Sequence, residues 1–489
     1  MSATQDEKLD SKSLEEALDP FDSPEDKKLV WKIDLRLIPI LTLLYLMSFL
    51  DRTNIGNAKL LGLTTDLHVA APQYNTALAL YFVAYVLFEV PANIILKRFD
   101  PQIWLPTLTL VWGIVSICQG LVKNQAGLFG IRVLLGITEA GLFPGVIYLF
   151  SVYYRRHERS WRVAIFFGGA ALAGAFGGIL AFGIGKMDGV GGRKGWEWIF
   201  ILEGIITVTV SLLAYFVVPT WPQRATFLTE TERARLLARL KFDSDSAREE
   251  KFEWFFVFQA FTDHLVWAYA LLFHGFAFVL YSLSLFLPTI IAGLGFSSWQ
   301  AQLLTVPPNT LASLTIWFTV WVSSRNNVRA PFIIGAAFVA IIGYIVLLSG
   351  RTPGAQYVGV HLAAAGVYTG NALLLRDSWP GENVSGQTKR AVAVAMQITI
   401  GDIGAIAGVL IYRPQFSSHG FRKPHIIAIG YLVFAAAVAT YLWVSMSREN
   451  KRRNLLIIDH GEKGNLDVTE DEVQQQRLGD RSVFYRYVI

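Results

Sequence analysis

The segment HLVWAYALLFHGFAFVLYSLSLFLPTIIA, residues 264–292, contains no Asp, Glu, Lys or Arg. An α-helix needs about 20 mostly apolar residues to cross the ~30 Å hydrocarbon core of a bilayer. These 29 residues are therefore long enough to span a membrane as one helix. The residues before them, 219–263, are opened by Pro219 and Pro222 and are rich in Glu, Arg and Lys, so they form a polar break in the apolar pattern.

Similar apolar runs recur along the whole chain of 489 residues. Hydrophobic residues make up 53% of the sequence and charged residues 17%, against roughly 25% charged residues in soluble domains. Twelve runs satisfy the length rule, with limits at 33–61, 75–96, 104–122, 127–152, 162–185, 197–218, 264–292, 299–323, 331–349, 355–375, 389–412 and 424–446. We therefore predict an all-α membrane protein of twelve transmembrane helices in two six-helix bundles.

The predicted organisation has five parts. The first bundle covers 29–218, the linker 219–263 and the second bundle 264–446, with tails at 1–28 and 447–489. The first tail holds nine acidic residues and four lysines, and such a composition predicts disorder. This tail lacks the basic start and short apolar run of a signal peptide, so we expect the first apolar run to be retained.

The distribution of Lys and Arg predicts the orientation. Of the 43 basic residues, 31 fall in the tails, the linker and the loops on their side, nine in the opposite loops and three within spans. Cytoplasmic loops carry the excess of Lys and Arg, so we predict cytoplasmic termini and a location in the plasma membrane. The same bias accounts for the sequence pI of about 9.1, and no nucleic-acid partner is predicted.

The sequence lacks the residues that several kinds of site and enzyme require. Cys118 is the only cysteine, which excludes an internal disulfide, a Cys-x-x-Cys pair and a Cys/His metal cluster. The sequence contains neither His-Glu-x-x-His nor Gly-x-Ser-x-Gly, the motifs of two large hydrolase groups. We predict a protein that is not an enzyme and has no metal or cofactor, with a membrane-embedded hydrolase as the formal alternative.

Ionisable residues within the apolar runs are candidates for function, because a charge inside a bilayer costs several kcal/mol and usually faces a partner or a wet cavity. Asp51 and Arg52 follow the first apolar stretch, although the span could also end at Leu50 and leave the pair at its edge. Arg132 and Glu139 are seven residues apart, so they lie on one stripe of a helix. They could alternatively pair only to hold the bundle together.

Arginine and carboxylate residues together suggest exchange of an organic anion and a proton. A guanidinium matches the geometry of a carboxylate, and a carboxylate in a low-dielectric site tends to take up a proton unless a cation holds it ionised. Glu89 is expected to be structural. His274 or His361 could shuttle protons near neutral pH, although a hydrogen-bonded packing role is the favoured interpretation of each. The predicted substrate-binding residues are Arg52, Tyr85, Arg132, Tyr281, Asn371 and Gln397, and the predicted proton-coupling residues are Asp51, Glu139 and Asp402.

Several stretches together resemble the anion:cation symporter branch of the major facilitator superfamily, and within it the fungal allantoate and nicotinate permease group. They are Phe49-Leu50-Asp51-Arg52-Thr53-Asn54-Ile55-Gly56-Asn57-Ala58, Glu89-Val90-Pro91-Ala92-Asn93, Arg132-Val133-Leu134-Leu135-Gly136-Ile137-Thr138-Glu139-Ala140-Gly141-Leu142-Phe143-Pro144-Gly145, Trp198-Ile199-Phe200-Ile201-Leu202-Glu203-Gly204 and Gly386-Gln387-Thr388-Lys389-Arg390. The resemblance covers roughly residues 30–446.

The resemblance implies two halves, each built of 3+3 inverted repeats, that rock about a central site. It also implies a substrate-binding role for Arg52 beside the titrating acid Asp51, and proton coupling by Glu139 beside Arg132. Asp402 stands where the family usually has asparagine, so its negative charge should disfavour a second carboxylate on the ligand unless it is protonated.

The function that we predict is proton-coupled uptake of a small organic anion by alternating access. Nicotinate, allantoate and vitamin-like carboxylates are the candidate substrates, and the expected partners are the anion, protons and the lipid bilayer, with one chain acting alone. An exporter or facilitator of an anionic metabolite is the alternative within transport. A nutrient sensor that no longer transports is the alternative from another class.

Overall fold

The structure is a computed structural model, and it describes residues 21–243, 253–326, 328–375, 379–412, 416, 420–462, 479–483 and 485–489. The described chain is helical, with no strand in these ranges. The helices of the first half and the linker are α1 Pro24–Leu60, α2 Leu63–Asp66, α3 Ala71–Arg98, α4 Pro101–Gln119, α5 Gln125–Glu139, α6 Leu142–Tyr153, α7 Arg156–Gly185, α8 Gly195–Val217, α9 Glu230–Asp243 and α10 Trp254–Thr262.

The second half follows the same plan. Its helices are α11 His264–Gly293, α12 Ser298–Leu303, α13 Val306–Asn326, α14 Ala330–Ser349, α15 Pro353–Leu375, α16 Trp379–Asn383, α17 Gln387–Ile411 and α18 Arg422–Glu462. Within the described residues, eleven helices are long and apolar enough to cross a membrane. The predicted run 299–323 corresponds to α12 and α13, and α13 is less apolar because it contains several Ser, Thr and Asn residues. The all-α, two-bundle prediction is confirmed.

The first helix begins earlier than the apolar run predicts. Ser23 caps α1 by accepting a hydrogen bond from the backbone N–H of Asp26, while the Asp26 carboxylate accepts one from the backbone N–H of Ser23 at 3.1 Å. Such a reciprocal cap stabilises the first turn. Residues 24–28 of the predicted disordered tail are therefore helical, and residues 1–20 of that tail lie outside the described residues.

The two halves meet at the end of the bundle opposite the linker, which we call the far end. The side-chain amide of Asn75, near the start of α3, donates to the Val409 carbonyl oxygen on α17 at 2.7 Å. On α7, a Cβ at Gly178 would overlap the Gln302 carbonyl oxygen of α12. The glycine therefore permits close approach of the two halves, as small residues do between membrane helices. Gly404 on α17, by contrast, packs on α11 within the second half.

The linker is attached to both halves by different pieces. Helix α9 is fixed to the first half by ion pairs of Arg239 Nη2 with Glu158 Oε1 at 2.6 Å and of Lys32 Nζ with Glu232 Oε2 at 2.7 Å. Helix α10 packs against α17 of the second half. Its outward side presents large exposed aromatic side chains, at Trp254, Phe255, Phe258 and Phe261.

The last described residues return to the second half at its linker end. We call residues 479–489, apart from 484, the C-terminal segment. Lys389 Nζ lies 2.7 Å from Asp263 Oδ2 and 2.8 Å from Asp480 Oδ1, and the backbone N–H of Arg329 donates to the Ile489 carbonyl oxygen at 2.8 Å. The tail predicted from 447 onwards therefore includes the end of α18 and a docked segment.

Candidate functional site

The centre of the candidate site is a buried ion pair between α1 and α5. Arg52 Nη2 lies 3.0 Å from Glu139 Oε1, and their side chains are 6% and 0% exposed. Helix α1 continues unbroken to Leu60, so the alternative in which the span ends at Leu50 is wrong. Arg52 belongs to one of the two charge pairs that the sequence predicted inside the spans, and Glu139 belongs to the other. The structure joins these two residues.

Two hydroxyl groups complete the surroundings of Glu139, and sequence reasoning did not single out either of them. Ser48 donates a hydrogen bond to Glu139 Oε1, and Tyr81 donates one to Glu139 Oε2. Ser48 lies one turn before Arg52 on α1, and Tyr81 one turn before Tyr85 on α3. Because residues four apart share a helix face, this spacing was the signal that could have identified them.

Aromatic side chains from both halves surround Arg52. The Arg52 guanidinium lies over the rings of Tyr81 and Tyr85, with its carbon 5.3 Å from each ring centroid. Arg52 Nη1 donates a hydrogen bond to the Tyr281 hydroxyl of α11 at 2.9 Å. Cations are attracted to the faces of aromatic rings, so these rings hold the guanidinium between the halves. The predicted residues Arg52, Tyr85, Tyr281 and Glu139 therefore form one cluster, which we call the central cluster.

Asp51 lies apart from the central cluster. Its carboxylate accepts hydrogen bonds from Trp112 Nε1 at 2.6 Å and from Ser116 Oγ at 3.0 Å, both on α4. Consecutive helical residues point about 100° apart because the helix has 3.6 residues per turn. Asp51 is thus directed into the first bundle while Arg52 is directed towards the second half.

Arg132 is fully buried on the same helix as Glu139, with 1% of its surface exposed. Its charge acts on both Glu139 and Asp51. Its Nε and Nη2 atoms have no hydrogen-bond partner among the described residues. The predicted stripe of Arg132 and Glu139 is present, and Arg132 retains donors that a ligand or water could use.

The predicted residues of the second half lie at different places. The charge of Asp402 on α17 acts on Arg52 and on Glu89, the buried acid of α3. The Asn371 amide donates to the Val367 carbonyl oxygen at 2.9 Å and to the Phe276 carbonyl oxygen at 3.3 Å, so it packs α15 against α11 and not against Arg52.

The remaining polar candidates are buried or bonded to the backbone. Gln397 is buried on α17. The two histidines named from the sequence each bond a backbone carbonyl oxygen through Nδ1, His274 with Ile400 at 2.8 Å and His361 with Tyr357 at 2.9 Å. These contacts match the packing role expected for both histidines.

The central cluster has the chemistry for exchanging a carboxylate and a proton. A guanidinium can bind a carboxylate through two parallel hydrogen bonds. In this arrangement Glu139 takes one donor of Arg52 and Tyr281 accepts from the other. An incoming carboxylate must therefore displace Glu139, Tyr281 or both, and protonation of Glu139 would weaken its hold on Arg52.

Comparison with known proteins identifies one family. A family model described as Major Facilitator Superfamily matches residues 41–409. The MFS-type transporter cnsO of Penicillium expansum is 36% identical, over 96% of this chain and 92% of that protein. The high-affinity nicotinic acid transporter of Saccharomyces cerevisiae is 31% identical, over 95% of this chain and 85% of that protein.

Solved structures show the same fold at low sequence identity. A bacterial homologue of the human lysosomal transporter Spinster, inward-facing and unoccupied, has a TM-score of 0.65 and 18% identity, covering 83% of this chain and 96% of that one. The proton:xylose symporter XylE bound to 6-bromo-6-deoxy-D-glucose has a TM-score of 0.65 and 16% identity, covering 85% and 96%.

Proposed function

The chain belongs to the major facilitator superfamily and is a multi-pass membrane transporter, and from this premise we propose that it takes up a small organic anion together with protons. The observation that carries the proposal is the buried Arg52–Glu139 ion pair, which Tyr281 closes from the other half. A similar yeast protein is a nicotinic acid transporter, which favours a monocarboxylate such as nicotinate, with allantoate and vitamin-like carboxylates as further candidates.

Competition for Arg52 links the proton to the anion. While Glu139 is ionised, it occupies the guanidinium that a substrate carboxylate needs. Protonation of Glu139 removes that negative charge, so Arg52 is free to bind the substrate through a bidentate pair. Release of the proton restores the Arg52–Glu139 pair and expels the anion. Proton and anion therefore favour each other's binding.

Contacts between the halves link binding to movement. Arg52 is on α1 and Tyr281 on α11, so a ligand that replaces the Tyr281 hydroxyl at Arg52 changes a contact between the halves. Transporters of this fold expose a central site alternately by rocking one half against the other. Because one chain supplies both sides of the cluster, the transport unit that we propose is a single chain.

We place the linker end in the cytoplasm and the protein in the plasma membrane. The excess of Lys and Arg on the linker side supports this orientation. In that orientation, the contact between Asn75 and Val409 closes the outer side. Uptake of a monoanion with one proton moves no net charge, whereas a second proton would let ~100 mV add about 2.3 kcal/mol to the driving force.

The proposal is tested by uptake of labelled nicotinate, and of a panel of other carboxylates, into proteoliposomes under an imposed pH gradient. Arg52→Ala should abolish both accumulation and counterflow exchange. Glu139→Gln should keep counterflow exchange and lose accumulation, because it can no longer release a proton. Glu197→Gln makes the same chemical change outside the central cluster, where Glu197 pairs with Arg193 at 3.5 Å, and should retain both activities.

Two results would contradict the proposal. Accumulation by Glu139→Gln against a concentration gradient would show that proton coupling does not depend on this residue. Transport that runs only outward, measured in inside-out vesicles with the pH gradient imposed, would favour the export alternative over uptake.

A further inference from the structure

A second candidate site lies at the linker end of the second half, far from the central cluster. A cavity of about 640 Å³ is lined by the start of α11, the polar end of α18 and the C-terminal segment. Four arginines line it, namely Arg448, Arg452, Arg453 and Arg481. They come from two separate parts of the chain, so the cavity is complete only when the C-terminal segment is docked.

The acidic residues of this cavity are already paired with cations. Asp263 accepts from Lys389 at 2.7 Å, and the Glu449 carboxylate pairs with Arg453 Nε at 2.8 Å and Arg452 Nη2 at 2.7 Å. Arg448 and Arg481 are exposed and pair with no carboxylate in the part of the chain that the structure describes. The cavity therefore has an excess of positive charge, and the guanidinium groups of Arg448 and Arg481 are available to bind a ligand.

The cavity wall is built from fixed side chains. Arg453 is 3% exposed, and its Nη2 donates to the Asp480 carbonyl oxygen at 2.9 Å while its Nη1 donates to the Tyr485 carbonyl oxygen at 2.8 Å. Lys389 also binds Asp480, so Asp480 is held by two buried contacts. Arg481 follows Asp480 in the chain and is positioned by them.

The neighbouring aromatic residues place this cavity at the level of lipid headgroups. Trp267 is 42% exposed, and its indole N–H donates to the Phe261 carbonyl oxygen at 2.8 Å. Tyr441 and Trp443 are exposed on α18 just before the charged residues that follow Met446. Tryptophan and tyrosine concentrate where hydrocarbon meets water, and basic pockets between helices at that depth bind anionic headgroups.

We propose that this cavity binds the phosphate group of an anionic membrane lipid, with Arg448 and Arg481 as the principal phosphate ligands. Guanidinium groups bind phosphate oxygens through paired, charge-assisted hydrogen bonds. The acyl chains of the lipid extend along the exposed aromatic side chains of Trp267 and Tyr441, and the Tyr441 ring lies 6.3 Å from the ring of His264 at the cavity wall. A soluble phosphate shares the headgroup chemistry but lacks these chains.

The test is a lipid titration of the purified full-length protein, followed by native mass spectrometry. Phosphatidylglycerol should bind more tightly than phosphatidylcholine, which has no net charge. The double variant Arg448→Gln/Arg481→Gln should lose roughly 30-fold in affinity for phosphatidylglycerol, the effect of two cations near a membrane surface. Lys451→Gln removes an exposed charge of the same helix that does not line the cavity, and should change the affinity less than about twofold.

Other results would overturn the proposal. Equal binding of the two lipids would show that the cavity does not select an anionic headgroup, and unchanged binding by the double variant would show that Arg448 and Arg481 are not the phosphate ligands. Glycerol phosphate added without lipid distinguishes the sources of phosphate: if it binds as tightly as phosphatidylglycerol, the ligand is a soluble phosphate and the lipid assignment is wrong. Thermal unfolding of each variant confirms that its fold is intact before binding is measured.

Discussion

Replacing Lys389 by methionine tests the docking of the C-terminal segment. The Lys389 side chain is fully buried, and its ammonium group lies 2.7 Å from Asp263 and 2.8 Å from Asp480. Methionine keeps most of the volume but leaves two buried carboxylates without their cation. Removing one partner of a buried ion pair costs about 3–5 kcal/mol. Asp480 becomes exposed to water if the C-terminal segment undocks. The cost of losing the cation should therefore appear mainly as a shift of the segment towards its undocked state.

Hydrogen exchange of the C-terminal segment measures that cost. In the wild type, the backbone N–H groups of Tyr487 and Val488 should be protected, since they donate to Asn450 on α18 at 3.0 Å and to Asn383 on α16 at 2.7 Å. A loss of about 3 kcal/mol raises the exchange rate through the undocked state roughly 150-fold. Lys451→Met provides the control, because Lys451 is exposed on α18. An exchange rate of Lys389→Met within about twofold of the wild type would refute the reasoning.

The two carboxylates of this cluster should respond differently to substitution and to pH. Burial raises the pKa of Asp480 despite the charge of Lys389. Burial also acts to raise the pKa of Asp263, but the charge and hydrogen bond of Lys389 outweigh it, so the pKa lies below the ordinary 3.8. A lowered pKa contributes stability that is present above the ordinary value and is lost as the pH falls through the folded-state value.

It follows that Asp263→Asn should destabilise the protein more than Asp480→Asn at neutral pH. For Asp480 the effect of pH on stability has the opposite sign. Its pKa is raised, so its ionisation disfavours the folded state as the pH rises through the ordinary range. Thermal unfolding of both variants near neutral pH, compared with acidic conditions, checks the order. Equal loss of stability in the two variants would contradict it.

Three further predictions concern the halves and the central cluster. Gly178→Ala should trap the transporter with its far end open, because the added Cβ would overlap Gln302. Gly183→Ala on the same helix should be neutral, because a Cβ there meets nothing within 4 Å. Cysteine accessibility at the far end measures both. Arg52→Lys should lower transport at least about tenfold although the charge is kept, because lysine lacks the bidentate fork; initial uptake rates show the loss. Tyr281→Phe should remove a hydrogen bond to a charged group worth about 1.5–3 kcal/mol and reduce the far-end-closed population, which distance measurements between spin labels would show.

The positions of the spans could be predicted from sequence because the length of an apolar run is a local property. The same holds for the charges inside the spans, since they contrast with their immediate neighbours. Arg52 and Glu139 were identified in this way, and the structure joins them over 87 residues of sequence. Twelve runs and one polar linker were therefore sufficient to predict two bundles.

The partners of the charged residues could not be predicted in the same way, because they depend on how distant helices pack. Asp51 and Arg52 are adjacent in sequence, yet one bonds α4 and the other contacts α5 and α11. Lys389 was visible in the sequence only as part of a motif, and its two partners lie 126 and 91 residues away. Asn371 has the residue type of a ligand contact, but its amide serves the packing of two helices.

The linker is attached to both halves, so it offers a way to measure their relative motion during transport. Since α9 is fixed to the first half and α10 packs on the second, a fluorescent donor on one helix and an acceptor on the other would follow the relative motion of the halves. Ala238 on α9 and Glu253, the residue directly before α10, are exposed positions for the two dyes, and Cys118→Ser alone removes the competing thiol. The dyes would sit outside the path of the substrate, so energy transfer between them could be recorded during turnover.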